Sequence, residues 1–278
     1  MKLDVNHLPI QLQPFHEKIL ATILPSVNLT LTPATELSLW QSKIGGHPYL
    51  PLTESYPVDE QGQALVLLAQ INFAEVPALP NFPTDGILQF YIGTDDLYGA
   101  DFNFEDLQPS GFCVRYFEHI IEDINQLKQD FSDVQLVNED EFLLPFTGQY
   151  AVEFERTEQV ISLQDHRFGE RVLGTQDLYD FDEHFEGGDF EDDFIEPYDA
   201  MFSSSGHHLG GYPYFTQDDP RNYNKKIQDY ILLFQLDTDD SDGKDIMWGD
   251  SGVGNFFIHP DDLKKRDFSK VIYNWDCC

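Results

Sequence analysis

Gly45-Gly46-His47-Pro48-Tyr49 in the first half of the chain and Gly210-Gly211-Tyr212-Pro213-Tyr214 in the second half open two stretches that run in step. Gly46 to Gln70 spans 24 residues, and so does Gly211 to Gln235. Gly86 to Ile92 spans six, as does Gly252 to Ile258, and Asp95-Asp96-Leu97 answers Asp261-Asp262-Leu263. A single residue of slippage falls between the Gln and the later Gly. Matches at so many fixed offsets indicate an internal duplication.

Each stretch implies the same layout. The glycines allow positive φ and the proline fixes the exit of the turn. A nearly continuous apolar strand follows, Leu65–Ile71 and Tyr230–Leu236, as expected where both faces are covered. A second strand is expected at Ile87–Ile92 and Val253–Ile258, a first helical turn at each Asp-Asp-Leu, and a third strand at Phe112–Phe117 and Val271–Trp275. Strands this close in sequence pair antiparallel. Outside the repeats, helices are expected over Leu12–Leu24 and Glu118–Phe131, and strands over Tyr150–Phe154 and Val160–Leu163. The fold class is α+β and β-rich: two divergent repeats of an antiparallel β unit with a few peripheral helices, in one compact pseudo-symmetric protein. The expected parts are a helical lead-in (1–43), a first repeat with a helix and extra strands (44–170), an acidic aromatic linker (171–208) and a second repeat (209–278).

Fifty acidic residues face sixteen Lys and Arg, a formal charge of −34. Such a surface repels a phosphate backbone and an anionic bilayer, so neither nucleic acid nor membrane is expected as a partner. The N-terminal stretch MKLDVNHLPIQLQPF lacks the pattern of a signal peptide, and apolar runs such as Ala64–Ala69 are too short to span a bilayer. Cys113, Cys277 and Cys278 suggest no disulfide framework, zinc spacing or prenylation box. A reducing, cytoplasmic setting is expected. The 41 % hydrophobic and 14 % aromatic content is ample for a packed core. Residues 176–199 are dense in acids, yet the interleaved Phe and Tyr argue that this segment packs on something.

The chain resembles the YwqG-like family, a bacterial domain family of unknown function. The carriers are Gly45-Gly46-x-Pro48, the LLAQIN strand, His208-Leu209-Gly210, LLFQLD at 232–237, Met247-Trp248-Gly249-Asp250-Ser251-Gly252, Phe256-Phe257-Ile258 and Tyr273-Asn274-Trp275-x-Cys277-Cys278. The resemblance implies a β-rich α+β bacterial protein and brings no catalytic residues.

Gly249-Asp250-Ser251-Gly252 spells a serine-protease nucleophile motif, but no His segment matches it and the repeat explains Gly252 as a strand start. Asp237, Asp239 and Asp242 invite a calcium reading, yet the EF-hand register fails, which leaves an irregular oxygen cage or a solvated turn. Beside the second Gly-Gly turn, His207-His208 could join a carboxylate such as Asp250 at a metal, or cap the turn. Gln70 and Gln235, polar within apolar strands, either close the Gly-Gly turns or line a groove between the copies. No cofactor is implied. Two readings follow. One is a non-enzymatic acidic protein that binds a basic protein such as a toxin, in the manner of an immunity protein. The other is an enzyme or small-ligand binder with its site between the repeats, using Gln70, Gln235, Asp237, Trp248, Asp250 and His208.

Overall fold

The computed structural model describes residues 8–278 except 103, 105, 106, 108, 109, 135–143, 176, 177, 184 and 187, with backbone only at 178–180. The described strands are β1 (Leu24–Pro33), β2 (Lys43–Gly45), β3 (Val66–Asn72), β4 (Ile87–Ile92), β5 (Phe112–Phe117), β6 (Gln149–Gln159), β7 (His208–Gly210), β8 (Ile231–Asp237), β9 (Gly252–Ile258) and β10 (Ile272–Cys277). All ten belong to one antiparallel sheet in the order β10-β9-β8-β7-β1-β6-β2-β3-β4-β5. At its centre β1 and β6 pair over ten residues, from Leu24 opposite Gln159 to Pro33 opposite Tyr150.

The sheet curls until its two ends meet. Phe112 of β5 and Tyr273 of β10 lie edge to face at 5.5 Å, and Trp275 Nε1 donates to Leu97 O at 2.7 Å. The result is a nearly closed, barrel-like sheet. Its interior is aromatic: Phe90 lies 4.8 Å from Phe256 and 4.9 Å from Phe234, and Phe256 stacks on Tyr273 at 4.6 Å. Each of these fully buried rings contributes about 1.5–3 kcal/mol of apolar transfer, plus the ring–ring term. The strands read as unbroken apolar runs because both faces are covered. Leu68 and Ile71 enter the central core, while Leu67 joins Leu65 and Tyr91 in a separate cluster outside it. In β8, Leu233 and Leu236 point to the central core and Leu232 packs with Phe257 and Ile272. A register shift interrupts the β3–β4 ladder between Leu67 and Ala69 and the β8–β9 ladder between Leu232 and Phe234.

A second core forms beside the sheet. Leu12 and α1 (His16–Leu20) pack with Val160, Ile161 and Phe168, and with Phe190, Phe194 and Tyr198, in the cluster completed by α3 (Glu196–Phe202). Phe190, Phe194, Tyr198 and Phe202 recur every four residues and are buried, so the acidic segment does pack, through its aromatic stripe. Short α2 (Leu178–Glu183) precedes them, and α4 (Pro260–Lys265) follows β9. Among the described residues no helix is long and apolar enough to cross a membrane.

Four expected elements are corrected. The helix over Leu12–Leu24 shrinks to a 3-10 turn and α1, and β1 begins at Leu24. From Val27 onward the burial alternates, with Val27, Leu29 and Leu31 inside and Asn28, Thr30 and Thr32 turned outward, the period of a strand. The helix over Glu118–Phe131 is an extended cover with one 3-10 turn, Ile124–Gln126, capped by Asp123. Side chains take its backbone groups instead: Tyr49 Oη accepts from Ile121 N at 2.8 Å, and Trp40 Nε1 donates to Ile121 O at 2.8 Å. Residues Val160–Leu163 lie beyond the end of β6 and are not a strand; Val160 and Ile161 fill the second core. Asp95-Asp96-Leu97 is a turn, whereas Asp261-Asp262-Leu263 is the start of α4.

Candidate functional site

The two Gly-Gly turns are held by buried amides. Gln235 Oε1 accepts from Tyr214 N at 2.8 Å, and its Nε2 donates to Ser204 O and Gly206 O at 2.9 and 2.8 Å. Gln70 Oε1 accepts from Tyr49 N at 2.7 Å, and its Nε2 donates to Leu39 O and Gln41 O at 2.8 and 2.9 Å. A neighbouring amide completes each clip: Gln89 Nε2 donates to Tyr49 O and Asn255 Nδ2 donates to Tyr214 O. Gly211 sits at φ +72°, which favours glycine, and a Cβ there would displace the Gln159 Oε1 that accepts from Tyr212 N. The structure does not bring Gln70 and Gln235 together; they occupy β3 and β8, separated in the sheet by four strands. His208 is buried with both ring nitrogens 3.0 Å from carbonyl oxygens, those of Ser204 and Gly210. Burial lowers its pKa, against the pull of those two carbonyls.

At the end of β8 the character changes. Asp237 accepts from Gly206 N at 2.6 Å and Thr238 N at 2.8 Å. Burial pushes its carboxyl up to about 6, and the charges of Asp239 and Asp276 push it the same way against those amide bonds. Beside it His207, held near 4 by burial, is neutral at pH 7. Its Nδ1 accepts from Asp237 N at 3.0 Å, so the proton sits on Nε2, 3.4 Å from Asp239 Oδ2. Lys244 reaches the same Asp239 at 3.4 Å. Asp276, raised by its own burial, accepts from the backbone of Thr216 and Gln217. The Tyr214 phenol, raised first by burial, also feels Asp237, Asp199 of α3, Cys278 and Asp276. One anionic neighbourhood therefore joins β8, β10 and the acidic helix. Sequence reasoning found Asp237 and missed Asp276, Asp199, Tyr214 and the pairing of His207 with Asp239.

The remaining candidates fall elsewhere. Trp248 is fully buried against Tyr98, Tyr273 and Trp275, and among the described residues its Nε1 has no partner. Asp250 and Ser251 are exposed in the turn before β9, and among the described residues no imidazole hydrogen-bonds the Ser251 hydroxyl. Asp237, Asp239 and Asp242 do not converge. Among the described residues the one trio close enough to share an ion is Asp165, His166 and Asp219. That trio is committed to arginine: Arg167 and Arg221 bond both Asp165 oxygens, and Arg221 bonds both Asp219 oxygens. A divalent cation there would meet two guanidinium groups, so the arrangement is an ion-pair network.

Because the folded Asp237 binds its proton more tightly than the ordinary 3.8, the native state holds more protons than the unfolded chain between about pH 4 and 6. The stability this group contributes is full below that window and is lost as pH rises through it. Relative to wild type, Asp237→Asn is therefore expected to gain about 1–2 kcal/mol between about pH 4 and pH 7, on top of a pH-independent cost for whichever of the Gly206 and Thr238 amide bonds its NH2 group cannot accept. Thermal melts of both proteins across that range check it; a difference that stays constant with pH would mean that the carboxylate is already compensated.

Fold and site together define a β-rich, single-sheet protein with an anionic patch beside its second Gly-Gly turn. The chain belongs to the family described as Domain of unknown function (DUF1963), whose model matches residues 42–277. That span runs from β2 to β10 and includes both Gly-Gly turns and the patch. A search of curated proteins returns no match.

Proposed function

We propose that this protein binds a basic protein partner through the anionic surface formed by α3, Tyr214 and the ends of β8 and β10, and that it does so without catalysis, in the manner of an immunity protein. The carrying observation is the row of exposed carboxylates on the helical segment beside Asp237, whose own carboxyl is raised first by burial and then by Asp239 and Asp276. Asp182, Glu183, Glu186, Asp189, Glu191, Asp192 and Glu196 are exposed while the Phe and Tyr stripe beneath them is buried. Among the described residues none of these acids forms an ion pair with Lys or Arg. A rigidly backed, uncompensated face steers cations and rejects anions. In the same reading the chain is a duplication, with units at 44–170 and 209–278, a lead-in (1–43) and the acidic linker (171–208), related to the YwqG-like bacterial proteins and working in the cytoplasm. The matched glutamine clips and register shifts support that duplication. A site between the units is not favoured, since the polar groups that would line it are spent on the turns.

Oligolysine serves as the probe. Its affinity for the full chain is expected to fall at least about tenfold between about 50 and 300 mM salt, because exposed charges are screened beyond a Debye length. Glu196→Gln with Asp199→Asn is expected to weaken it more than Asp130→Asn with Asp133→Asn, which removes the same charge from a distant loop. Equal losses would reduce the interaction to net charge and overturn the patch.

A further inference from the structure

The turn after β4 and the helix after β9 carry the same Asp-Asp-Leu and use it differently. After β9, Pro260 starts α4, and Lys264 and Lys265 sit 3.2 and 3.9 Å from Asp261 and Asp262. At Asp95-Asp96-Leu97 no proline precedes the acids and no lysine follows them; no Lys or Arg occurs between Ile44 and Val114. There the chain passes through two left-handed residues, Tyr98 at φ +52° and Gly99 at φ +76°. A Cβ on Gly99 would lie 1.9 Å from Gly111 O and 2.5 Å from Gly93 N, so three bare backbone segments abut. Above them opens a cleft of about 220 Å³, whose lining includes Asp59, Thr94 and Asp95.

Three features point to a ligand. Asp59 Oδ1 accepts from Gln61 N and Gln63 N, and Asp95 Oδ1 accepts from Leu97 N and Gly99 N. Among the described residues the second oxygen of each has no partner, so two fixed carboxylates present a spare acceptor. Thr94 is only 5 % exposed, and among the described residues nothing hydrogen-bonds its hydroxyl, which stays open to the cleft. The loop is also held in place from outside, with Tyr98 packed 4.9 Å from Trp275 and 5.7 Å from Trp248, and with Trp275 bonded to Leu97 O. A strained loop braced in this way is pre-organised for binding.

We propose that this cleft binds a primary ammonium group, with Asp59 and Asp95 supplying charge and the Thr94 hydroxyl an acceptor. An ammonium has three donors for these three acceptors. A bare metal ion fits less well, because among the described residues Asp59, Glu60 and Asp95, the three carboxylates that line the cleft, do not converge on one point. The ammonium could be a free amine or a lysine side chain. The cleft shares no residue with the patch around Tyr214, so either site can fail alone.

The test is calorimetric titration of the full chain with cadaverine, and separately with oligolysine, at fixed ionic strength. Saturable one-to-one cadaverine binding is expected, weakened about tenfold or more by Asp95→Asn and severalfold by Thr94→Val. Both substitutions preserve side-chain shape, and the amide oxygen introduced by Asp95→Asn could still accept the two backbone bonds, so circular dichroism should be unchanged; Asp59→Asn is the reserve variant. Loss of cadaverine and oligolysine binding together would assign the site to lysine side chains, and loss of cadaverine binding alone to free amines. Absence of saturable binding, or equal binding by all variants, would overturn the proposal.

Discussion

Replacing Arg221 with methionine is expected to cost about 3–5 kcal/mol, the range for removing one partner of a buried ion pair. For a chain of this size that is a fall in Tm of roughly 6–20 °C. Arg221 is 1 % exposed and uses its whole fork. Nε and Nη2 grip Asp219 at 2.9 and 2.6 Å, Nη2 also reaches Asp165 at 3.1 Å, and Nη1 donates to Tyr230 O at 2.9 Å. The guanidinium lies over the Phe257 ring at 4.8 Å. Methionine fills much of the volume but strands the Asp219 carboxylate in the interior. Burial alone would raise the Asp165 pKa, yet Arg167 and Arg221 outweigh it and hold that carboxyl well below the usual range. A carboxyl with a depressed folded value contributes stability above about pH 4 and loses it in acid. The gap between wild type and variant should therefore narrow as pH drops through the carboxylate range. Asp219→Asn in the same background should recover part of the loss. Urea denaturation at pH 7 and at about pH 2.5 measures all three proteins; a cost below about 1 kcal/mol at pH 7 would show that the network is replaceable.

What could be read from the sequence divides along a physical line. β3, β4, β8 and β9 were legible because both their faces are covered, which leaves unbroken apolar runs such as Leu232-Leu233-Phe234. β1 was not, although Val27-Asn28-Leu29-Thr30-Leu31-Thr32 alternates cleanly, because Pro25 and the preceding helical spacing hid its start. The cover at 118–131 misled because Ile120, Ile121 and Leu127 pack on Tyr49 and Trp40 at a spacing that a helix shares. Of the site, Asp237 stood out as an acid closing an apolar strand. Its neighbours did not: His207 and Asp239 lie 32 residues apart, and Asp276 comes from the neighbouring end of β10. The Arg221 network was hidden for the same reason, since Asp165 and Arg221 are 56 residues apart in a chain crowded with acids. The cleft was hidden because its shape depends on three glycines from three segments meeting.

Gln70→Leu and Gln235→Leu are expected to destabilise by similar amounts, about 3–5 kcal/mol each, because each substitution orphans the same set of buried backbone groups at about 1–3 kcal/mol per group, less what leucine regains in transfer. In each arm one amide N–H loses its acceptor, that of Tyr49 or Tyr214, and two carbonyls lose a donor; Gln70 Oε1 also accepts from Gln89 Nε2 at 2.8 Å and Ser204 O still faces His208 Nε2, so any difference should fall on the Gln70 side. The surroundings differ. Beside Gln70 stands Lys43, buried and bonded to Ser38 O and His47 O, with its pKa lowered to about 8 by burial against the pull of Glu75. Beside Gln235 stands His208, which faces Ser204 O and Gly210 O. Lys43 binds fewer protons in the native state than in the unfolded chain between about pH 8 and 10.5, so its arm should gain stability as pH rises through that window. Measured at pH 7, the two glutamine variants should agree within about 1 kcal/mol, and wild type should not weaken between pH 8 and 10 on account of Lys43. A difference above about 2 kcal/mol between Gln70→Leu and Gln235→Leu would mean that the matched geometry of the two clips conceals different energetics, and the claim that the arms are copies of one folding unit would then rest on backbone alone.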